Sequence, residues 1–553
     1  MKTLRTLSKL FLLILLFGTG RVALAQDPKP GSSPQGGTRA ANTVRISAAT
    51  TAATLRTSPF DPPDESDVSF FTDVAPKLDT GCIFRSSGPI VYSVEIKRFL
   101  GELNPDGTLK DAAALVAAGL VSPTVKLIMP GFDVDSGASI PGIAPERDLV
   151  SFNGEPIGYL SGENNEWVLN SFEIPIEKVK FAQRGSGGGD PTGGVNEIRI
   201  DIDTANADEE WCTSVDWGSA SFKAMSPIIL IHGNNSNGGF FDRQGFTDAL
   251  KAQHLVYDNS ITMTTDTRAA HGQLLDSLIP PIVRSFGAKG VHIVVHSKGG
   301  LDTRDYLANF QPSHQNEFKV LSFTSLSSPH DGSVGADVLV ERENAANNVG
   351  YTGSIEFVGF PDYTRQLAAM MGVDRGTPDL TTGAAAGFNP VNIPRISGLG
   401  ITFNTVGADA DRNGNNQIDR NPDEYAELRQ ESTALRRIDS VSQRTSRYIV
   451  DAIYQILRNT SGVTVSYRTQ GFGPIHRTVA TITSIPNPSP VQNDTLVTIP
   501  SAHGTQSLQP LVRNRASFTG AQGRNHSSVA NGGVANTVIP WILEVERRSG
   551  GLR

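Results

Sequence analysis

The stretch that most constrains this chain is VHIVVHSKGGLDTRDYLANF. In it an uninterrupted apolar run, Val291 to Val295, ends in His296-Ser297-Lys298-Gly299-Gly300 and passes at once into a helical pattern. An apolar run without alternation reads as a strand buried on both faces, as in a parallel sheet. A strand that turns sharply into a helix presents the turn residue above the sheet edge, and small residues there let the helix pack close to the strand. Ser297 is therefore the candidate nucleophile. The usual pattern has glycine two places before the serine, and here that place is Val295. A second apolar run, PIILIHG, begins at Pro227; strand-like segments near Ile261 to Met263, Leu321 to Leu326 and Ile401 to Val406 then alternate with helix-like ones. Such alternation predicts a doubly wound, mostly parallel α/β sheet.

The 553 residues exceed one ordinary domain, so two folded units after a leader are expected. Residues 1–25 read as an export signal, with Lys2, Arg5 and Lys9 at the positive start, an apolar run from Leu10 to Phe17, and Ala23-Leu24-Ala25 as the cleavage site. The product is expected to be secreted, extracellular or periplasmic. No later stretch approaches the roughly 20 apolar residues of a membrane helix, so no integral membrane segment is expected. Residues 26–68, rich in Pro, Gly, Ser, Thr and Ala, read as a disordered leader. A formal net charge of −8 without a basic cluster excludes the footprint of a nucleic-acid binder. Cys82 and Cys212 are the two cysteines; they exclude a disulfide framework and a cysteine-built zinc site, and leave one bridge or two core thiols as alternatives.

Residues 69–224 carry short β-like runs separated by turn residues: Ile90 to Lys97, Val125 to Met129, Leu149 to Phe152, Glu166 to Ile174 and Asn196 to Ile202. They predict an antiparallel β-sandwich. The stretches DLVSFNGEPIGYLSG, EWVLNSFEIP and GVNEIRIDID resemble jelly-roll accessory domains, which implies a spacer or a carbohydrate or surface contact. Trp167 reads as core in such a sandwich, with a stacking platform as the alternative. The remainder, 225–553, is the expected catalytic domain, with a cap insertion at about 333–400.

A serine hydroxyl is a poor nucleophile near neutral pH and needs a histidine base, which in turn needs an acid to fix its tautomer and stabilise its cation. In the order typical of such sheets the acid and then the histidine follow the serine. His526 stands in a polar loop before the apolar C-terminal run, and Asp494 stands in VQNDTLVTIPSA, ahead of a strand-like run. His330, His476 and His503 are rivals for the base, and Asp409, after ITFNTV, for the acid. The negative charge developing on a carbonyl oxygen would be held by two backbone N–H groups, those of Lys298 and of Asn234 in His232-Gly233-Asn234-Asn235. Backbone donors leave both side chains free to vary.

With these residues in place, PIILIHG, VVHSKGGLDTRDYL, LSSPHDGSVGADVL, DLTTGAAAGFNP, NDTLVTIPSA and NHSSV resemble, in order, the secreted bacterial lipases and esterases of the true-lipase type within the α/β-hydrolase superfamily. The resemblance spans about Pro227 to Arg547. It implies an ester hydrolase with Ser297, Asp494 and His526 as its triad and Asn234 and Lys298 at the oxyanion positions, acting on a small-molecule or lipid ester with no cofactor required for catalysis. Those lipases carry a calcium-ligating aspartate two residues after the histidine; here that residue is Ser528, so that site is not carried over. The cap segment holds Phe357, Phe360, Leu367, Met370 and Met371, which read as the core of a small cap, with a mobile lid as the alternative.

DADRNGNNQIDRNPDE sets Asp409, Asp411 and Asn413 at alternate positions before Gly414, as in calcium loops, with Asn415 and Asp419, Asp423 or Glu424 available to complete a site. Arg420 at the twelfth position excludes a regular EF-hand. A structural calcium is the expectation, against a solvated acidic loop. Two other functional classes stay open on these residues: a secreted surface- or glycan-binding protein that uses the hydrolase domain as scaffold, and an amidase or acyltransferase with the same triad.

Overall fold

The computed structural model describes residues 58–62, 70–75, 78, 80–137, 141, 143–207, 211–234, 236–351, 353–365, 368, 372–418, 424–425, 447–472 and 475–549. The stretch read as an export signal and most of that read as a leader lie outside the described residues. Two compact units result: one of 227–282 and 290–545, and one of the described residues up to 226 together with 283–289 and 546–549.

The strands of the amino-terminal unit are β1 (Phe70–Ala75), β2 (Ile83–Phe84), β3 (Ile90–Glu95), β4 (Thr124–Phe132), β5 (Leu149–Phe152), β6 (Glu155–Tyr159), β7 (Trp167–Pro175), β8 (Ala182–Gln183), β9 (Thr192–Gly193), β10 (Val195–Asp201), β11 (Cys212–Val215) and β12 (Gly218–Lys223). One sheet runs β1-β12-β4-β11-β2 with β7 beside β4, a second runs β3-β10-β5-β6, and the pairings are antiparallel. In β3 and β10 buried and exposed residues alternate, so Ile90, Tyr92 and Val94 face inward with Asn196, Ile198 and Ile200. Tyr92 reaches from one sheet to the other: its Oη lies 3.5 Å from Met129 Sδ on β4, and its ring occupies the space a Cβ on Gly218 would need. Cys82 and Cys212 are bonded, with their Cα atoms 5.3 Å apart. The Trp167 ring packs 5.2 Å from Phe132.

The second unit contains β13 (Ile228–Ile231), β14 (Tyr257–Asp258), β15 (Gly290–His296), β16 (Lys319–Leu326), β17 (Ser354–Val358), β18 (Thr402–Ala408), β19 (Thr460–Phe472), β20 (Ile475–Pro486) and β21 (Val512–Phe518). Its central sheet has the order β14-β13-β15-β16-β18-β21 and is parallel throughout. Every residue of β13 and β15 is buried, as the unbroken apolar runs require of strands covered on both faces. Its helices include α1 (Arg268–Ser285), α2 (Gly299–Asn309), α3 (Val334–Val349), α4 (Thr382–Ser397) and α5 (Gly532–Arg548). From β13 the chain steps to β14 on one side and then to β15 on the other. In open α/β sheets such a reversal opens a crevice at the carboxyl ends of the strands, where ligands bind.

Two local expectations fail. Ile261 and Met263 are buried, but they belong to no ladder; the edge strand is Tyr257–Asp258, and the Met263 N–H donates to His232 Nε2 at 3.0 Å instead. The apolar run after Asp494 forms a short helix, Ile499–Ala502, capped by the Thr498 hydroxyl, rather than a strand. The segment read as a cap divides between two neighbourhoods. α4 lies against α2 beside the central sheet, whereas α3 packs on a separate sheet of order β17-β20-β19 that draws two of its strands from beyond residue 459. Phe357 and Phe360 meet edge to face at 5.7 Å, half-buried against the core of that second neighbourhood; Leu367, Met370 and Met371 lie outside the described residues.

Candidate functional site

At the end of β15 the backbone of Ser297 adopts φ 55°, a left-handed conformation that is strained for a side-chain-bearing residue, before Lys298 enters helical geometry and α2 begins. Three glycines make this turn sterically feasible. A Cβ on Gly299 would lie 2.4 Å from the His232 carbonyl oxygen, one on Gly300 2.2 Å from Ser328 Oγ, and one on Gly233 2.6 Å from Ser297 Cβ. Val295, where the common pattern has glycine, is fully buried, and its Cγ2 would lie 3.3 Å from a Cβ added at Gly300.

The three residues expected to form the triad meet at this turn. His526 Nε2 lies 2.8 Å from Ser297 Oγ, and His526 Nδ1 lies 2.9 Å from Asp494 Oδ2. The other Asp494 oxygen accepts the Leu496 and Val497 N–H groups at 2.9 and 2.7 Å, and the Asp494 carbonyl accepts the His526 N–H at 2.9 Å. With a carboxylate facing Nδ1, the neutral imidazole carries its proton there and turns a lone pair on Nε2 toward the serine hydroxyl. Of the rivals, His476 lies exposed on β20, and the others are occupied elsewhere. His330 contacts Ser325 and Arg304, and His503 contacts Thr405 and Ser517. Asp409 accepts the Tyr454 hydroxyl at 3.0 Å, with its carboxyl raised by burial.

Gly233 and Asn234 follow β13 beside the serine. His232 anchors this loop: its Nδ1 lies 2.7 Å from the Gly233 carbonyl oxygen, its Nε2 receives the Met263 N–H, and burial pulls its pKa down to about 4, so the ring is neutral. The Asn234 and Lys298 side chains, expected to be free to vary, are instead each tied to specific partners. Lys298 is fully buried, and its Nζ donates to Asp302 Oδ1 at 2.6 Å, one turn along α2, and stands 3.2 Å from His271 Nδ1 on α1. His271 in turn lies 2.8 Å from Asp302 Oδ2 and 2.6 Å from the Thr264 carbonyl oxygen. An ammonium removed from water needs such partners. Asn234 Nδ2 donates to Asp374 Oδ2 at 2.9 Å, and Gly376 fits so closely that a Cβ there would lie 2.9 Å from Lys298 Cε and 3.1 Å from Asn234 Oδ1. Sequence reasoning missed His271, Asp302 and Asp374. The Lys298–Asp302 spacing of four on a helix was the one local signal for any of them.

Ser297, His526 and Asn234 open into a cleft of about 120 Å³, lined for the rest mainly by apolar side chains such as Leu339, Leu380, Ile453, Leu457 and Val497. Such a cleft removes an acyl or other apolar group from water while leaving a polar cluster at one end.

In the loop after β18, the Asp411 carboxylate accepts the Gly414 and Asn416 N–H groups at 2.8 and 2.6 Å. The Asn413 side-chain oxygen accepts the Asn415 N–H at 2.9 Å, and that of Asn415 accepts the Gln417 N–H at 2.9 Å. Asp419 lies outside the described residues. The described oxygens thus fold the loop on its own amides, which leaves each carboxylate lone pairs for a cation without by itself bringing three acidic groups together.

The strand order and the turn that carries Ser297 are those of an α/β-hydrolase sheet. No family model matches the chain. A curated relative, the lysosomal thioesterase PPT2-B of Xenopus laevis, is 31% identical over 130 residues, or 22% of this chain and 42% of that protein, so the match spans less than half of the relative. Similar solved structures include a Bacillus licheniformis lipase, BlEst2 in mature form, at 16% identity with 57% of this chain and 92% of that one covered and a TM-score of 0.33. They also include an extracellular α/β-hydrolase of a Paenibacillus species, at 14% identity with 33% and 76% covered and a TM-score of 0.21. The chain is thus similar to bacterial lipases and esterases of the α/β-hydrolase fold.

Proposed function

We propose that this chain is an exported serine hydrolase that cleaves carboxylic esters through an acyl-enzyme. One observation carries the reading: Ser297, His526 and Asp494 form a continuous hydrogen-bonded chain, 2.8 and 2.9 Å per link, at the polar end of an apolar cleft. Ser297 Oγ attacks the ester carbonyl while its proton passes to His526 Nε2, and Asp494 stabilises the imidazolium that forms. The Asn234 and Lys298 N–H groups receive the oxyanion. His526 then protonates the departing alcohol, and in the second half it takes a proton from the water that attacks the acyl-enzyme, releasing the acid and restoring Ser297. The likeness to a thioesterase adds thioesters to the substrates to be tried. Export rests on the amino-terminal signal pattern and fits the bonded Cys82–Cys212 pair. The amino-terminal unit is read as a jelly-roll-like accessory sandwich, and the Asp409–Asp419 loop as a structural calcium site.

The test is labelling by a serine-directed phosphonate. Label on Ser297, lost in Ser297→Ala together with ester hydrolysis, is the expected result; label elsewhere, or an active Ser297→Ala enzyme, refutes the proposal. Asp494→Asn should lower kcat by about 10⁴-fold, as loss of an orienting acid does, while Asp409→Asn leaves kcat near the parent value.

A further inference from the structure

The His526 main chain is held on both sides. Its N–H donates to the Asp494 carbonyl oxygen at 2.9 Å, and its own carbonyl oxygen lies 2.7 Å from Nε2 of His296, the residue immediately before Ser297. The His296 ring is buried, stacks on Phe240 with centroids 4.5 Å apart, and lies 4.7 Å from the His526 ring. Burial and the neighbouring His526 hold its pKa well below the ordinary range, so one ring nitrogen carries a proton. Because Nε2 faces a carbonyl oxygen, that proton sits on Nε2, which donates. The bond joins positions 230 apart in the chain, and one of its ends is adjacent to the serine.

Resting on the proposed esterase reading, we infer that His296 is a positioning residue: its Nε2–H, donated to the His526 carbonyl, locks the histidine loop to the turn that carries Ser297, so that the base and the nucleophile keep one geometry through both halves of the reaction. Among the described residues the other hydrogen bond between these two loops is Ser297–His526 itself, which breaks when the proton moves. A loosening of about 1 Å in the base is enough to cost about 10²-fold in rate. His296 touches no reacting atom, so its loss should appear in kcat and leave KM nearly unchanged.

The test compares His296→Leu, His296→Gln and His296→Asn in the full chain. Gln carries an amide N–H at the reach of Nε2, Asn carries one too short to arrive, and Leu has none. The expected result is kcat lower by about 10- to 100-fold in Leu and Asn with KM within about twofold, and recovery to within about fivefold in Gln. Equal kcat in Gln and Asn, or a Leu variant within about twofold of the parent, overturns the inference. If Leu prevents folding, the comparison of Gln with Asn decides alone, since both are polar and differ only in reach. Phosphonate labelling of the parent separates the two levels: no label on Ser297 defeats the esterase reading, whereas label on Ser297 with indifferent His296 variants defeats only this inference.

Discussion

Gly233→Ala tests the geometry of the site with one methyl group. The added Cβ would stand 2.6 Å from Ser297 Cβ and 3.2 Å from Ser297 Oγ. Carbon atoms rest at about 3.5–4.0 Å, so loop and serine must separate by about 1 Å. The His526–Ser297 distance of 2.8 Å leaves no slack for that movement. A displacement of that size costs about 10²-fold in rate, or about 2.7 kcal/mol of barrier. Steady-state hydrolysis of a soluble short-chain ester would read the change in kcat, and the second-order rate of phosphonate labelling would read Ser297 reactivity without a turnover step. Both should fall together by about the same factor. Gly387→Ala is the control, because nothing lies within 4 Å of its added methyl on α4, and an exposed helical glycine gains up to about 1 kcal/mol as alanine. A Gly233→Ala enzyme with parental kcat and labelling rate would refute the placement of the loop against the nucleophile.

Lys298→Met leaves Asp302 and His271 without their buried cation and should lower stability by about 3–5 kcal/mol in denaturant unfolding; Lys298→Met with Asp302→Leu should regain part of that loss, and a double variant no more stable than the single one refutes the pairing argument. Calcium bound in the Asp409–Asp419 loop would add about 2.7 kcal/mol at a hundredfold excess over its Kd, so chelation should lower the melting temperature of the parent but not of Asp411→Ala, and an unchanged parental melt removes the cation from this loop. In the amino-terminal unit, burial and the neighbouring Asp148 push the Glu146 pKa up to about 8, while Thr213 Oγ1 lies 2.9 Å from Glu146 Oε1 and 2.5 Å from Asp148 Oδ2. The folded state therefore keeps a proton that the unfolded chain has released; its stabilisation is full below pH 4.5, declines as the pH rises, and is gone above about 8. Glu146→Gln should flatten the fall in melting temperature between pH 5 and pH 8.5, and an equal slope in parent and variant would show that Glu146 ionises normally.

Much of the site could be read directly from the chain because its grammar is local. The run into Ser297, the double glycine behind it and the histidine ahead of a terminal helix are each set by neighbours a few residues away, since a sharp strand-to-helix turn leaves few residue types that fit. The alternating inward residues of β3 and β10 and the unbroken apolar runs of β13 and β15 were legible for the same reason. Periodicity records burial, however, and not the partner. Ile261 and Met263 are buried as a strand would be, but the Met263 N–H went to the His232 ring, and no feature of their own sequence distinguishes the two fates. Lys298 reads as a solvated lysine until α1 brings His271 beside Asp302. Asn234 reads as an unencumbered loop residue until Asp374, 140 positions away, meets it. The pairing of β17 with β20 and the bond from His296 to the His526 carbonyl belong to the same class. Asn234 with Asp374, β17 with β20 and His296 with His526 each join segments more than a hundred residues apart, and such pairings are chosen by the packing of the whole unit, where local propensity has no vote.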